Sequence, residues 1–229
     1  MMPRSPEPEL MDLPEEVRAY ALADFAEVNR LFVQRLTELA TGSVDPSGDR
    51  SIEAIDLGCG PGDIARRLAI ARPNWRILAA DASQPMLDWA AQVFTHANVG
   101  DRVTGQRVDA KATGLADACF DVVYSNSLLH HLTDANAMWR EVRRIIRPGG
   151  LVFFRDLYRP HDPAAAEHIV RTHAGGESNL LQDEFYRSLL SAYSIDEIVT
   201  QLTASGLGGL QVQAVTDRHV DIWGTIRAG

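Results

Sequence analysis

The run Ile55-Asp56-Leu57-Gly58-Cys59-Gly60-Pro61-Gly62-Asp63 constrains this chain more than any other part of it. An apolar stretch at 51–57 enters glycines separated by single residues. A segment with apolar residues at Ile64, Leu68 and Ala71 leaves them, and Pro73 ends it. That is the pattern of a strand turning tightly into a helix. Glycine permits the turn and lets a ligand approach the backbone without meeting a Cβ. The first amides of the helix then point at that ligand.

The same alternation continues downstream. Strands are expected at 76–80, 103–108, 120–124 and 151–155. One helix is expected behind Ser83, with Pro85 in its first turn and Met86, Ala90, Val93 and Phe94 as its apolar stripe. Another is expected behind Asp134, burying Met138, Val142 and Ile145 and stopped by Arg147-Pro148-Gly149-Gly150. Strands alternating with helices predict an α/β fold with a parallel sheet, and right-handed crossovers put helices on both faces. The rhythm breaks at 157–193, a polar stretch with expected helices near 164–173 and 181–192, which reads as an inserted helical lid. A capped helix at 194–205 and two closely spaced strands at 210–216 and 219–226 predict an antiparallel C-terminal hairpin. Upstream, residues 1–14 are Pro-rich and acidic and read as a frayed tail. Val17, Leu22, Phe25, Val28, Phe32, Leu36 and Leu39 predict one amphipathic helix over 15–40. The expected organisation is a flexible tail (1–14) and a single domain (15–229). That domain has a helical cap (15–50), a cofactor-binding half (51–156), a lid insertion (157–193) and a C-terminal helix and hairpin (194–229).

Thirty-one acidic against 22 basic residues give a net charge of −9, which argues against a nucleic-acid partner, since a phosphate backbone rewards clustered positive charge. No apolar run reaches the roughly 18 residues of a membrane span, and no membrane partner is expected. The N-terminus lacks the apolar core of a secretory leader. Cys59 and Cys119 cannot make a disulfide framework and read as buried, reduced thiols, which with the rest predicts a cytoplasmic protein. The oligomeric state stays open.

Which ligand the turn would hold depends on its last residue. A dinucleotide fingerprint has glycine where this chain has Asp63. A carboxylate there opposes a pyrophosphate but not a ligand carrying an ammonium and a sulfonium; alternatively Asp63 only caps the helix. Asp81 closes the second strand, where a carboxylate faces a ribose diol, and Asp109 closes the third, in reach of an exocyclic adenine amine. One aspartate at a strand end is often a turn residue; Asp56, Asp81 and Asp109 together beside a glycine loop make a constellation. His161, His168 and His173 lack the spacing of a metal site, and no metal is expected.

The segments IDLGCGPGDIARRL, ILAADAS, RVDA, FDVVYSNSLLHHLTD and REVRRIIRPGGLVFF, in this order and spacing, resemble the class I S-adenosylmethionine-dependent methyltransferases of small-molecule type. The resemblance runs from Ser51 to about Asp156. It implies a Rossmann-like, seven-stranded, mostly parallel sheet with an antiparallel C-terminal hairpin. It also implies S-adenosyl-L-methionine as cofactor and methyl transfer to a small-molecule acceptor. It places Asp56, Gly58 and Gly60, with Cys59 between them, around the methionyl part of the cofactor, and Asp81 at the ribose beside Ala82. Met86 packs on the adenine, Asp109 and Ala110 read its edge, and Ser125 and Asn126 line the cofactor at the end of strand four. His130-His131-Leu132 is typical of enzymes related to the quinone-biosynthetic and sterol types. Ser125-Asn126-Ser127-Leu128 replaces the Asn-Pro-Pro-Tyr-like tetrapeptide of amino-group nucleic-acid and glutamine methyltransferases. His130 or His131 is the candidate general base, since adjacent residues point in different directions, and His130 is favoured; the other reading is a histidine that orients the cofactor. Tyr20, Arg155, Tyr158 and Tyr186 are candidate substrate contacts, Arg155 either binding an acidic acceptor or pairing with acidic residues of the lid. Two rivals share part of the pattern: an NAD-dependent oxidoreductase, and a non-catalytic protein that binds S-adenosylmethionine.

Overall fold

The computed structural model describes residues 2–226. Seven strands form one sheet in the order β3-β2-β1-β4-β5-β7-β6. They are β1 (Ile52–Leu57), β2 (Trp75–Asp81), β3 (Val103–Arg107), β4 (Phe120–Asn126), β5 (Ile146–Leu157), β6 (Gln211–Ala214) and β7 (His219–Thr225). β1 to β5 pair in parallel, while β7 runs antiparallel to β5 and to β6. The central strands are near-continuous apolar runs because both of their faces are covered. Alternate residues serve opposite layers. Ala54, Val122, Tyr124, Leu151 and Phe153 meet α2 (Ala26–Thr41), α3 (Asp63–Ala71) and α4 (Gln84–His96). Ile55, Val123, Val152, Phe154 and Ile222 meet α5 (Ala135–Ile145) and α8 (Ile195–Ala204). A third, small core joins α6 (Pro163–Ala174) to α7 (Asn179–Ser191), in the stretch set off as an insertion.

Helix starts follow their caps. Ser83 accepts from the Met86 amide, Asp134 from Ala137 and Asp162 from Ala165, and Ser194 forms a capping box with Glu197. Three expectations change. The single helix expected at 15–40 is two, α1 (Pro14–Leu22) and α2, because the Asp24 carboxylate accepts from the Ala26 amide and turns the chain. The fifth strand starts earlier than its apolar run. It begins at Ile146, and the Arg147-Pro148-Gly149-Gly150 run sits in an irregularity between the Phe120–Ile146 and Val122–Leu151 pairings. The tail read as frayed is held by side chains. Arg4 donates to the carbonyls of His130 and Leu132 at 2.9 Å each, and Ser83 Oγ donates to the Met11 carbonyl at 2.9 Å. Composition could not reveal this, since every partner lies far away in sequence. The remaining residues of the tail and hairpin stretches, Met1 and 227–229, lie outside the described residues.

Gly62 precedes α3 with φ +84°, and a Cβ there would stand 2.7 Å from the Phe94 ring and 2.9 Å from Ala90 Cβ. Gly62→Ala is therefore expected to lower stability by about 2–4 kcal/mol, from the left-handed backbone and the overpacking against α4. Urea unfolding measures this; an unchanged midpoint would contradict the packing described.

Candidate active site

The strand order reverses between β1 and β4, and open α/β sheets bind ligands outside the carboxyl ends of strands at such a point. A cleft of about 770 Å³ opens there. Asp56, Gly58, Cys59, Gly60, Asp81, Met86 and Asn126 line it, with Tyr20, His130 and Arg155. A smaller pocket of about 140 Å³ adjoins it, lined by Ala82, Asp109, Ala110 and again Gly58 and Asp81. Of the expected cofactor residues only Ser125 lines neither; it is fully buried and its Oγ donates to the Leu57 carbonyl at 2.6 Å, tying β4 to β1.

Two carboxylates dominate the crevice. Asp81 accepts from the Gly60 amide and the Ser83 amide, each at 2.8 Å, one on each oxygen. Each oxygen keeps further accepting capacity. Asp56 is 2% exposed, and its Oδ2 has no hydrogen-bond partner. Burial first, then the Asp81 charge, push the Asp56 carboxyl well above the usual range, although Tyr124 acts in the opposite sense. Burial also raises Asp81. An unpaired buried carboxylate beside a second one is a site short of positive charge. Gly60 (φ +52°) adds the steric part. Nothing but Tyr20 Cε1, at 3.9 Å, stands near a Cβ built on it, so its backbone faces open space.

Asp63 lines the cleft but does not cap the helix. It is the first residue of α3 rather than the cap, and it accepts from Arg66 Nη2 at 2.5 Å, Arg67 Nε at 2.6 Å and Asn29 at 3.0 Å. Its pKa falls because these partners outweigh burial. The two arginines sit three and four residues along the same helix, so the pairing was readable from spacing.

Across the cleft, a 3₁₀ turn at Leu129–His131 presents His130, which is 3% exposed. Its Nδ1 lies 2.6 Å from Asp156 Oδ1, while Asp156 Oδ2 accepts from the Leu129 amide at 2.6 Å. Burial would raise Asp156, but the His130 charge and these hydrogen bonds lower it. Ionised Asp156 only accepts, so Nδ1 carries the hydrogen and Nε2 keeps its lone pair. Burial depresses the His130 pKa, yet Asp156 and Glu7 outweigh that and raise it. Tyr20, at the end of α1, is pushed up to about 12 by burial and by the Asp156 and Asp81 charges.

Several expected contacts fall elsewhere. Arg155 lines the cleft but makes two hydrogen bonds to the buried Asp221 of β7, at 2.6 and 2.8 Å, rather than pairing with the lid. Tyr158 does not line the cleft; its hydroxyl donates to the carbonyl of Thr216, which does, at 3.3 Å. Tyr186 packs into the α6–α7 core, and its neighbour Phe185 faces the cleft instead. Helical phase on α7 decides between those two. Cys59 and Cys119 are free, Cys59 buried but Cys119 only half-buried. Glu7, Glu9 and Asp156 were not among the expected contacts. Glu9 and Leu10 border the smaller pocket. Glu7, His130 and His131 bring one ligand atom each within 4.8 Å of one another.

Fold and cleft together define an α/β protein with an acidic crevice at the β1–β4 switch point. Residues 55–154 match the family model described as a methyltransferase domain. Over 76% of its length the chain is 30% identical to 27-O-demethylrifamycin SV methyltransferase of Amycolatopsis mediterranei, of which it covers 59%. Over 77% of its length it is 30% identical to a ubiquinone biosynthesis O-methyltransferase of Rhizobium johnstonii, of which it covers 66%. The chain thus spans under two thirds of the length of these relatives. Phosphoethanolamine N-methyltransferase 2 of Haemonchus contortus, solved with S-adenosyl-L-methionine, shares the fold at 15% identity, with a TM-score of 0.69 over 95% of this chain and 58% of that one. Residues 55–154 thus form a methyltransferase domain, and the chain is similar to S-adenosylmethionine-dependent methyltransferases of class I. That overturns the nicotinamide reading. Among the described residues no helix is long and apolar enough to cross a membrane.

The raised carboxyls set a sign for stability. The folded chain binds more protons at Asp56 and Asp81 than the unfolded one from about pH 4 up to their raised pKa values, so this pair costs stability as pH climbs through that window. Asp56→Asn is expected to raise the Tm of the ligand-free protein at pH 7.5 by about 2 °C or more. Scanning calorimetry of both proteins at pH 5 and pH 7.5 checks it. A lower Tm for the variant at pH 7.5 would count against the burial described.

Proposed function

We propose that the protein transfers the methyl group of S-adenosylmethionine to a hydroxyl oxygen of a small molecule, with His130 as general base. The observation that carries this is the buried His130–Asp156 pair opening onto the same cleft as Asp56 and Asp81. The crevice suits the cofactor: Asp56 Oδ2 lacks a partner, and Gly60 leaves room for close approach. Asp56 would accept from the ammonium of the methionyl part and Asp81 from the ribose hydroxyls. Gly58, Cys59 and Gly60 would border the methionyl chain, together with Asn126. Ala82, Met86, Asp109 and Ala110 would enclose the adenine. The cofactor supplies an already activated methyl group on a sulfonium.

The chain's task is then to position the acceptor in line, exclude water and remove a proton. Asp156 holds the imidazole so that Nε2 takes the hydroxyl proton. The acceptor oxygen would take the methyl group that the cofactor supplies as its proton passes to Nε2, which would leave the positive charge on His130. Tyr20 and the α6–α7 pair would shield the cleft, α6–α7 as a lid. Both relatives named above are methyltransferases whose names specify oxygen acceptors, which supports the oxygen reading.

Two measurements test this. Calorimetry with S-adenosylhomocysteine is expected to show binding that Asp81→Ala weakens about 10- to 100-fold, through loss of charge-assisted hydrogen bonds; no binding at millimolar ligand would refute the cofactor assignment. With a panel of phenols and alcohols, release of S-adenosylhomocysteine is expected to rise with pH through the raised His130 pKa, because the neutral imidazole is the base. His130→Ala is expected to lower kcat about 10²- to 10⁴-fold. Retention of full activity by that variant on a hydroxyl acceptor would exclude the base role.

A further inference from the structure

The N-terminal segment carries a carboxylate into the base site. Arg4 anchors the segment through its bonds to the His130 and Leu132 carbonyls, and its guanidinium lies 3.9 Å from the Tyr193 ring centroid. The Glu7 amide donates to Ser191 Oγ at 3.3 Å, and Ser188 Oγ of α7 donates to Glu7 Oε1 at 3.1 Å. Glu9 then accepts from Lys111 Nζ and from the Thr133 amide, both at 2.7 Å, which holds it near pKa 2 against burial. Between these anchors Glu7 Oε1 lies 3.1 Å from His131 Nδ1 and 3.7 Å from His130 Nε2. The two imidazoles stack with centroids 4.1 Å apart.

We infer that Glu7 is a positioning residue for methyl transfer: it fixes His131 and sets its charge against the Nε2 edge of His130, so that the base site is complete only when the N-terminal strap is seated. This rests on the reading of His130 as the base. The geometry gives the reason. Nε2 is the atom that must take up the proton, and Asp156 already occupies the opposite ring nitrogen. A neutral Nε2 and a carboxylate oxygen at 3.7 Å are both acceptors and gain nothing from each other. Once Nε2 is protonated, the imidazolium stands between Asp156 on β5, which is buried, and Glu7 on the strap, which is half-buried. Glu7 therefore favours the charged form that the reaction creates over the neutral form that precedes it, which is how a fixed charge accelerates a step. The other charged group acting on His130 is Arg4 of the strap, which acts against it. Burial and the His130 charge in turn lower His131 of the same turn, and burial with the Glu7 charge raises Glu184 of α7. The same strap borders the smaller pocket with Glu9 and Leu10, so seating it closes the adenine side and supplies Glu7 in one movement.

The test is an NMR titration of the His130 imidazole in the full chain, saturated with S-adenosylhomocysteine and freed of metal ions by chelation, from pH 5 to pH 9. In the wild type the midpoint is expected above the ordinary ~6.5 of histidine. In Glu7→Gln, which keeps the side-chain length but not the charge, it is expected to fall by about one pH unit. Glu7→Asp, which restores the charge, is expected to return most of that shift. A Glu7→Gln midpoint equal to the wild type, or the same fall in both variants, would overturn the inference. The outcome is separable from the base role. Activity retained by His130→Ala refutes the base whatever the titration shows, whereas an unmoved titration with an inactive His130→Ala refutes Glu7 alone.

Discussion

Two carboxylates that cannot both be comfortable without a cation govern this molecule. Asp56 stands one residue before the end of β1, in the interior of the sheet, where desolvation and the neighbouring Asp81 both disfavour its charge. Folding tolerates this because the surrounding sheet is extensively packed on both faces. The result is a crevice pre-formed for positive charge and hostile to phosphate. Asp63, at the start of α3, lines the same cleft but is paired with Arg66 and Arg67.

The opposite wall obeys a different logic. There the charges are complementary, with Asp156 and Glu7 on two sides of one imidazole. Arg155, which a sequence reader would offer to an acidic acceptor, is committed to Asp221 in a buried bidentate pair. Such a pair is costly to break and poorly suited to ligand exchange. The apolar part of the cleft wall comes from α2, α4 and α7, with Val28, Trp89 and Phe185 among its lining.

What the sequence revealed divides along physical lines. The glycine turn, the strand-end aspartates and the Ser83 cap are local patterns, in which the residues that determine the structure are neighbours in the chain. They were legible, and so was the antiparallel hairpin. Contacts that span more than a hundred residues were not. Nothing in the composition of MPRSPEPELM announces that Arg4 will meet the carbonyls of His130 and Leu132, or that Glu7 will meet both histidines. Tyr158 and Tyr186 mark a third case, in which the right element was identified but the side chain faces another way. Asp156 follows Arg155 near the end of β5. Its pairing with His130 could be seen only once β5 and the turn after β4 stood side by side.

The most direct test of the central claim is a crystal structure of the complex with S-adenosylhomocysteine. The account predicts the ligand's ammonium within about 3 Å of Asp56 Oδ2 and its ribose hydroxyls on Asp81. An ammonium held elsewhere, with Asp56 still unpartnered and no ribose contact at Asp81, would contradict it.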